Sequence, residues 1–195
     1  MNGVEGRGTH ETGVEGAAVP KVVSSRPVYS GKVISMRVDE IVLPQGGTAT
    51  REVVEHAGAV VVAAVDQQER VYLVRQYRHA IRGYLLELPA GCLEAGEEPL
   101  AGAMRELREE VGLEGRQWRA LGSFYSSPGF ANEVLHAFLA RDLVESVRDP
   151  DYDEDLTVVR RGVQELLEHL DEIVDAKSLA TLLLLLRDQD HGNRA

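Results

Sequence analysis

The stretch from Ala57 to Val65 constrains the fold most, because it is a nearly continuous apolar run dense in valine. Branched side chains in a run of this length predict a buried strand rather than a helix. Asp66-Gln67-Gln68-Glu69 then supplies polar residues able to turn the chain into a second strand, Arg70 to Arg78. Tyr84 to Leu88 is short and apolar, and Pro89 stops it. Upstream, residues 21–56 hold β-type residues among Gly, Ser and Pro, with a turn at Pro44-Gln45-Gly46-Gly47. These predict a small antiparallel sheet. Downstream, Gln117 to Tyr125, Val134 to Ala140 and Leu156 to Arg160 read as strands. Pro99 to Val111, Gly162 to Leu170 and Ala176 to Leu186 read as helices, the last with Asp175 as its N-cap. The expected class is α/β, a mixed sheet packed by helices behind an N-terminal β appendage. Residues 1–20 are Gly-rich and read as a disordered tail.

Charge narrows the function. The 195 residues carry a formal net charge of −11, which argues against a nucleic-acid partner. Phosphate ligands would also be repelled, unless carboxylates hold a divalent cation. Most of the 32 acidic residues are expected to be a solvated surface. No apolar run is long enough for a bilayer and no apolar h-region precedes residue 20, so neither a membrane nor a secretory address is expected. Cys92 is the single cysteine, consistent with a reducing cytoplasm. By its residue type alone it is expected to be a small buried thiol.

Gly91 to Leu113 carries the chemistry. Glu106, Glu109 and Glu110 fall on one face of a helix that Pro99 opens and Gly112 ends. Leu100, Ala103, Met104, Leu107 and Val111 form an apolar stripe expected on the opposite side. Clustered carboxylates are costly unless a cation joins them, and oxygen donors of this kind suit Mg²⁺ or Mn²⁺. Taken alone, such a helix is more often a solvated face, with Arg105 and Arg108 pairing locally.

The wider segment resembles the Nudix box, G-x5-E-x7-R-E-U-x-E-E-x-G-U with U a bulky aliphatic. Gly91, Glu97, Arg105, Glu106, Leu107, Glu109, Glu110, Gly112 and Leu113 all match it. Seven fixed identities make a chance match roughly one in 10⁸ per starting point. The resemblance implies an α/β/α sandwich and a loop–helix–loop that holds Mg²⁺ or Mn²⁺ against a diphosphate. Glu106 and Glu110 are then direct metal ligands, with Glu109 a further ligand, direct or through water. The Ala90 carbonyl is similar to another family ligand. Glu97 and Arg105 are similar to a pair that braces the loop.

Several further stretches resemble the ADP-ribose pyrophosphatase branch: Arg51 to His56 (REVVEH), Gln76 to Ala80, Glu87 to Gly91, and Ser127-Pro128-Gly129 followed by Glu133. Pro128 lies 16 residues after Gly112, as in that branch. The likeness implies that Arg51 and Glu52 touch the nucleotide from the partner subunit of a homodimer, through an appendage spanning 21–56 beside a hydrolase domain spanning 57–195. Arg78 is expected at the diphosphate or ribose, Cys92 near the substrate, and Glu133 and Pro128 in contact with it. Val33, Ile34 and Ser35 are expected at the adenine. A general base is expected on the acidic stretch Asp149 to Asp155, at Glu154 or Asp153, with Glu154 also an extra metal ligand and Glu133 a rival. The implied reaction is hydrolysis of ADP-ribose to AMP and ribose 5-phosphate. Two alternatives stand beside it: a Nudix hydrolase of another nucleoside diphosphate derivative or an oxidised nucleoside triphosphate, and a non-catalytic nucleotide-binding module.

Overall fold

A computed structural model describes residues 18–148 and 155–192. Most of the expected tail and the candidates Asp153 and Glu154 lie outside the described residues. The expected mixed sheet is present. Its centre is β4 (Ala59–Ala64), buried at every position. It pairs antiparallel with β7 (Ala90–Cys92) and parallel with β9 (Val134–Glu145), which pairs antiparallel with β8 (Leu113–Tyr125). A second sheet has the order β10-β5-β6, from β10 (Leu156–Gly162), β5 (Arg70–Arg78) and β6 (Gly83–Glu87).

Alternation along β4 builds two cores. Val61, Ala63 and Val65 pack with Leu73, Leu88, Leu182 and Leu185, the last two on α3 (Ala176–Gly192). Val60, Val62 and Ala64 pack with Ala103 and Leu107 on the opposite face. Successive strand residues point to opposite sides, so a strand covered on both must be apolar at every position. Burying each such valine is worth roughly 1.5 to 3 kcal/mol. The four-stranded sheet is thereby held between α1 (Pro99–Glu106) on one side and α3 on the other.

The turn after β4 follows its residues. The Asp66 carboxylate accepts the N–H groups of Gln68 and Arg70, both at 2.9 Å. Strands β8 and β9 run longer than their apolar stretches, because Leu113 pairs with Glu145 at the far end of the ladder. A short helix α2 (Val163–Glu168) precedes α3. Asp175 caps α3 as expected, accepting the Ser178 N–H at 3.0 Å.

The N-terminal sheet has the order β1-β2-β3, all antiparallel, from β1 (Lys21–Ser30), β2 (Ile34–Val42) and β3 (Thr48–His56). Every residue of β1 is exposed, including Val22, Val23, Val28 and Tyr29. The end of β3 is stitched to the Ser-Pro-Gly loop: the Val54 N–H donates to the Phe130 carbonyl at 2.8 Å, and the Asn132 N–H donates back to the Val54 carbonyl at 3.1 Å. No described helix is long and apolar enough to cross a membrane.

Candidate active site

The helix of the box starts with Pro99 at its first turn, as its sequence requires. Leu107–Val111 continue it as a wider π turn, and Gly112 ends it at φ 75°, in the left-handed region that glycine enters freely. The expected apolar stripe needs correction. Leu100 is 42% exposed and Met104 47%, whereas Glu106 and Glu110 are buried, only 8% and 1% exposed. The inward face is Gly102, Ala103, Glu106, Leu107 and Glu110. A carboxylate can occupy such a face because it has partners. The Glu110 Oε2 accepts the Ala90 N–H at 3.0 Å, which fixes the β7 loop to the helix.

Arg105 organises the rest. Its Nε and Nη2 donate to the two Glu97 carboxylate oxygens at 3.0 and 2.9 Å. Nη2 also reaches the Cys92 carbonyl at 3.0 Å, and Nη1 reaches Glu106 at 2.6 Å and Glu109 at 3.0 Å. The hydrogen bonds from Arg105 hold the Glu97 carboxyl below its ordinary range against the smaller push of burial. Glu97 and Arg105 thus form a brace closing the loop onto the helix. Gly91 makes room in that loop, since a Cβ there would run into the Glu106 carboxylate and displace it.

Among the described residues, no three His, Cys, Asp or Glu side chains are gathered as a ready metal-holding group. The donor set nevertheless fits a hard divalent cation. Glu106 and Glu110 share the inward face beside the Ala90 peptide, Glu109 lies one ion pair away through Arg105, and the Glu106 carboxylate packs directly against Gly91.

Cys92 is exposed, not a buried structural thiol. It is the last residue of β7, a three-residue edge strand beside the loop, and its sulfur lies 3.5 Å from the His56 Nε2. Partial desolvation first, then the Glu106 and Glu133 carboxylates, push the thiol upward. The Glu133 carboxylate approaches the other side of His56, at 3.5 Å from Nδ1. Glu133 and Cys92 therefore meet at His56. Pro128 sits exposed in the loop stitched to β3.

His56 also lines a cavity of about 510 Å³ with Val33, Ile34, Ser35, Glu55 and Asn132. Sequence reasoning placed Ile34 and Ser35 at a ligand but gave no role to His56 or Asn132. The signal was present in the REVVEH stretch, whose last residue reaches both the cavity and Cys92. Arg51 and Glu52 are exposed on β3, and the Arg51 side chain donates to its neighbour, the Thr50 carbonyl. Among the described residues, no hydrogen bond ties either to the box helix.

Arg78 is clamped by Glu87, at 2.8 and 2.6 Å through two parallel hydrogen bonds. Arg148 reaches two elements: its Nε donates to the Glu110 carbonyl at 2.7 Å and its Nη2 to the Leu156 carbonyl at 3.1 Å. Neither Glu87 nor Arg148 was legible as a site residue.

Comparison with known proteins matches this arrangement. The NUDIX domain matches residues 54–182, and the nucleoside diphosphate sugar hydrolase N-terminal domain matches residues 20–54. A protein of Bacillus subtilis named ADP-ribose pyrophosphatase is 40% identical over 162 residues, covering 81% of this chain and 88% of the relative. A Bacillus methanolicus protein named methanol dehydrogenase activator is 38% identical over 169 residues, covering 85% and 91%. The crystal structure of an ADP compounds hydrolase superposes with a TM-score of 0.82 at 20% identity, covering 93% of this chain and 100% of that one, which shows the shared fold. With the box complete, its helix and brace in place, and more than half of the chain matched, this protein belongs to the Nudix family.

Proposed function

We propose that this protein hydrolyses ADP-ribose to AMP and ribose 5-phosphate with the help of Mg²⁺ or Mn²⁺. The observation that carries this reading is the pair of buried carboxylates, Glu106 and Glu110, on one helix face against the Ala90 loop, within a complete box. Two carboxylates on one inward face repel each other, and a divalent cation bound between them would remove that cost. Glu106, Glu109, Glu110 and the Ala90 carbonyl would hold the metal. When bound, it would neutralise the diphosphate and lower the pKa of a coordinated water.

The chain's own residues supply the remainder. Arg105 and Glu97 keep the loop closed on the helix. The cavity bounded by Ile34, Ser35 and Glu55 has the size of a ligand site and takes the adenosine end. Arg78 grips the diphosphate or ribose with a planar guanidinium. Glu133, next to His56 and Cys92, contacts the substrate from the opposite wall. Glu154, or Asp153 beside it, takes the proton from the attacking water. The name of the Bacillus subtilis relative supports the substrate.

The exposed apolar residues of β1, Val22, Val23, Val28 and Tyr29, support a homodimer built through residues 21–56. Such a dimer would carry Arg51 and Glu52 to the partner's nucleotide. A soluble, cytoplasmic enzyme is the setting this reading implies.

Product identification tests the reading. ADP-ribose incubated with protein and Mg²⁺ is expected to yield AMP and ribose 5-phosphate in equal amounts. Turnover of an oxidised nucleoside triphosphate to its monophosphate and inorganic diphosphate, with ADP-ribose untouched, would replace it. Saturable nucleotide binding without any product would leave a non-catalytic module.

A further inference from the structure

The residues from Glu87 to Ala90 are tied, one after another, to four different places. Glu87 binds Arg78 and Lys177. The Leu88 N–H donates to the Ser178 hydroxyl at 2.7 Å. The Pro89 carbonyl accepts the Val62 N–H at 2.9 Å. The Ala90 N–H donates to Glu110. This short segment leads directly into the box, and its first residue is the only one that carries charge.

Glu87 is 1% exposed. Two cations face it, Arg78 from β5 and Lys177 from the first turn of α3, and Asp175 holds Lys177 from behind at 2.9 Å. Two acids and two bases therefore form one balanced, largely buried cluster. Desolvating a carboxylate cancels much of what its partners return, so a cluster of this kind is a poor way to gain stability and a good way to fix orientation. The orientation fixed here is that of Arg78. Its Nε and Nη2 are both committed to Glu87, and Nη1 makes no hydrogen bond among the described residues. The Arg78 side chain is 38% exposed, and the Glu87–Ala90 segment that clamps it is hydrogen-bonded at its other end to Glu110 of the box helix.

From this geometry we infer that Glu87, backed by Lys177 and Asp175, is a positioning residue that aims the Arg78 guanidinium at the substrate diphosphate. The inference rests on the proposed hydrolysis of a nucleoside diphosphate derivative. It adds that the N-terminus of α3, a helix without a residue in the box, sets the geometry of substrate binding. A two-point clamp leaves the guanidinium plane a single orientation, which a single flexible contact would not.

A double-mutant cycle on ADP-ribose hydrolysis tests it, with Glu87→Gln and Arg78→Gln alone and together. Glu87→Gln is expected to lower kcat/KM by about ten- to a hundredfold, mainly through KM. In the Arg78→Gln background the same change is expected to cost less than about threefold, because its effect passes through Arg78. Losses that multiply would overturn the inference, since a merely structural role acts whether or not Arg78 is present. If Glu87→Gln does not fold, Lys177→Met, which leaves the Arg78–Glu87 pair intact but unbacked, runs the same cycle with a smaller expected effect. A readout without substrate keeps the two claims apart. The Arg78 Nε–H resonance is expected to be rigid in wild type and motionally averaged in Glu87→Gln, and in Lys177→Met if that variant replaces it. Wild-type protein inactive on ADP-ribose but showing that loss of rigidity would sink the substrate reading and uphold the clamp; unchanged rigidity would sink the clamp.

Discussion

The Arg148 Nε donates to the backbone carbonyl of Glu110 at 2.7 Å, while its Nη2 donates to the Leu156 carbonyl. One guanidinium thus joins the end of the box helix to the start of β10. Residues 149–155, the acidic stretch proposed to carry the general base, lie between Arg148 and Leu156 in the chain. Arg148→Met keeps the aliphatic stem and removes both hydrogen bonds. It is expected to lower kcat for ADP-ribose by about tenfold or more, with stability reduced by about 1 to 3 kcal/mol. Steady-state kinetics and urea unfolding check this. An unchanged kcat would show that the acidic stretch needs no such anchor.

Gly91→Ala is a steric test of the box. The added methyl would run into the Glu106 carboxylate and push it from its place. Metal affinity is expected to fall about ten- to a hundredfold, as when the groups orienting a ligand are lost. Titration of Mn²⁺ followed by electron paramagnetic resonance measures it without reference to substrate. Full Mn²⁺ affinity in the variant would remove Glu106 from the proposed donor set.

The brace between Glu97 and Arg105 is the third test. Their side chains are 13% and 21% exposed, so breaking the pair takes the carboxylate partner from Nε of a mostly buried guanidinium whose other contacts are to Glu106, Glu109 and the Cys92 carbonyl. Glu97→Gln is expected to cost about 2 kcal/mol, less than a fully buried pair because some solvent reaches it. The urea midpoint should fall with the slope unchanged. A stability equal to wild type would mean that Glu106 and Glu109 compensate for the lost partner.

Acid should unfold the protein through the cluster of Glu87 and Asp175 with Arg78 and Lys177. Burial alone would raise the carboxyls of Glu87 and Asp175, but the cations and hydrogen bonds around them prevail and hold both below their ordinary values. A depressed folded-state pKa means that the unfolded chain binds more protons, so stability falls with falling pH. The contribution is complete above the unfolded values of about 3.9 to 4.3 and is lost as pH drops through the lower folded values. Arg78 and Arg105 are shifted upward by their carboxylate partners and stay charged across this range. Urea midpoints between pH 7 and pH 3 should fall steeply at the acid end, and less so in Glu87→Gln. A flat wild-type profile would contradict the balanced cluster.

The sequence was most legible where one local property decided the outcome. The valine run had to be a doubly covered strand, Gly112 had to end its helix, and Asp175 had to cap α3. It misled where polarity was taken as exposure. Leu100 and Met104 read as core and face solvent, while Glu106 and Glu110 read as a charged face and lie buried. A periodicity argument ranks residues by hydrophobicity and cannot see the Ala90 N–H or Arg105 that makes burial of an acid tolerable. Pairings across long separations were invisible for another reason: Glu87 and Lys177 are brought together only by packing of α3 against the sheets. Cys92 reads as a small core residue, yet it sits exposed on a three-residue strand beside the loop.

The most direct test of the central claim compares wild type with Glu110→Gln for AMP release from ADP-ribose, with Mg²⁺ or Mn²⁺ and after chelation. Release is expected to need the metal and to fall by about a hundredfold or more in the variant, whose neutral amide still fills the buried site but cannot serve as an anionic ligand. AMP release by wild type that survives chelation, or by Glu110→Gln at the wild-type rate, would contradict that claim.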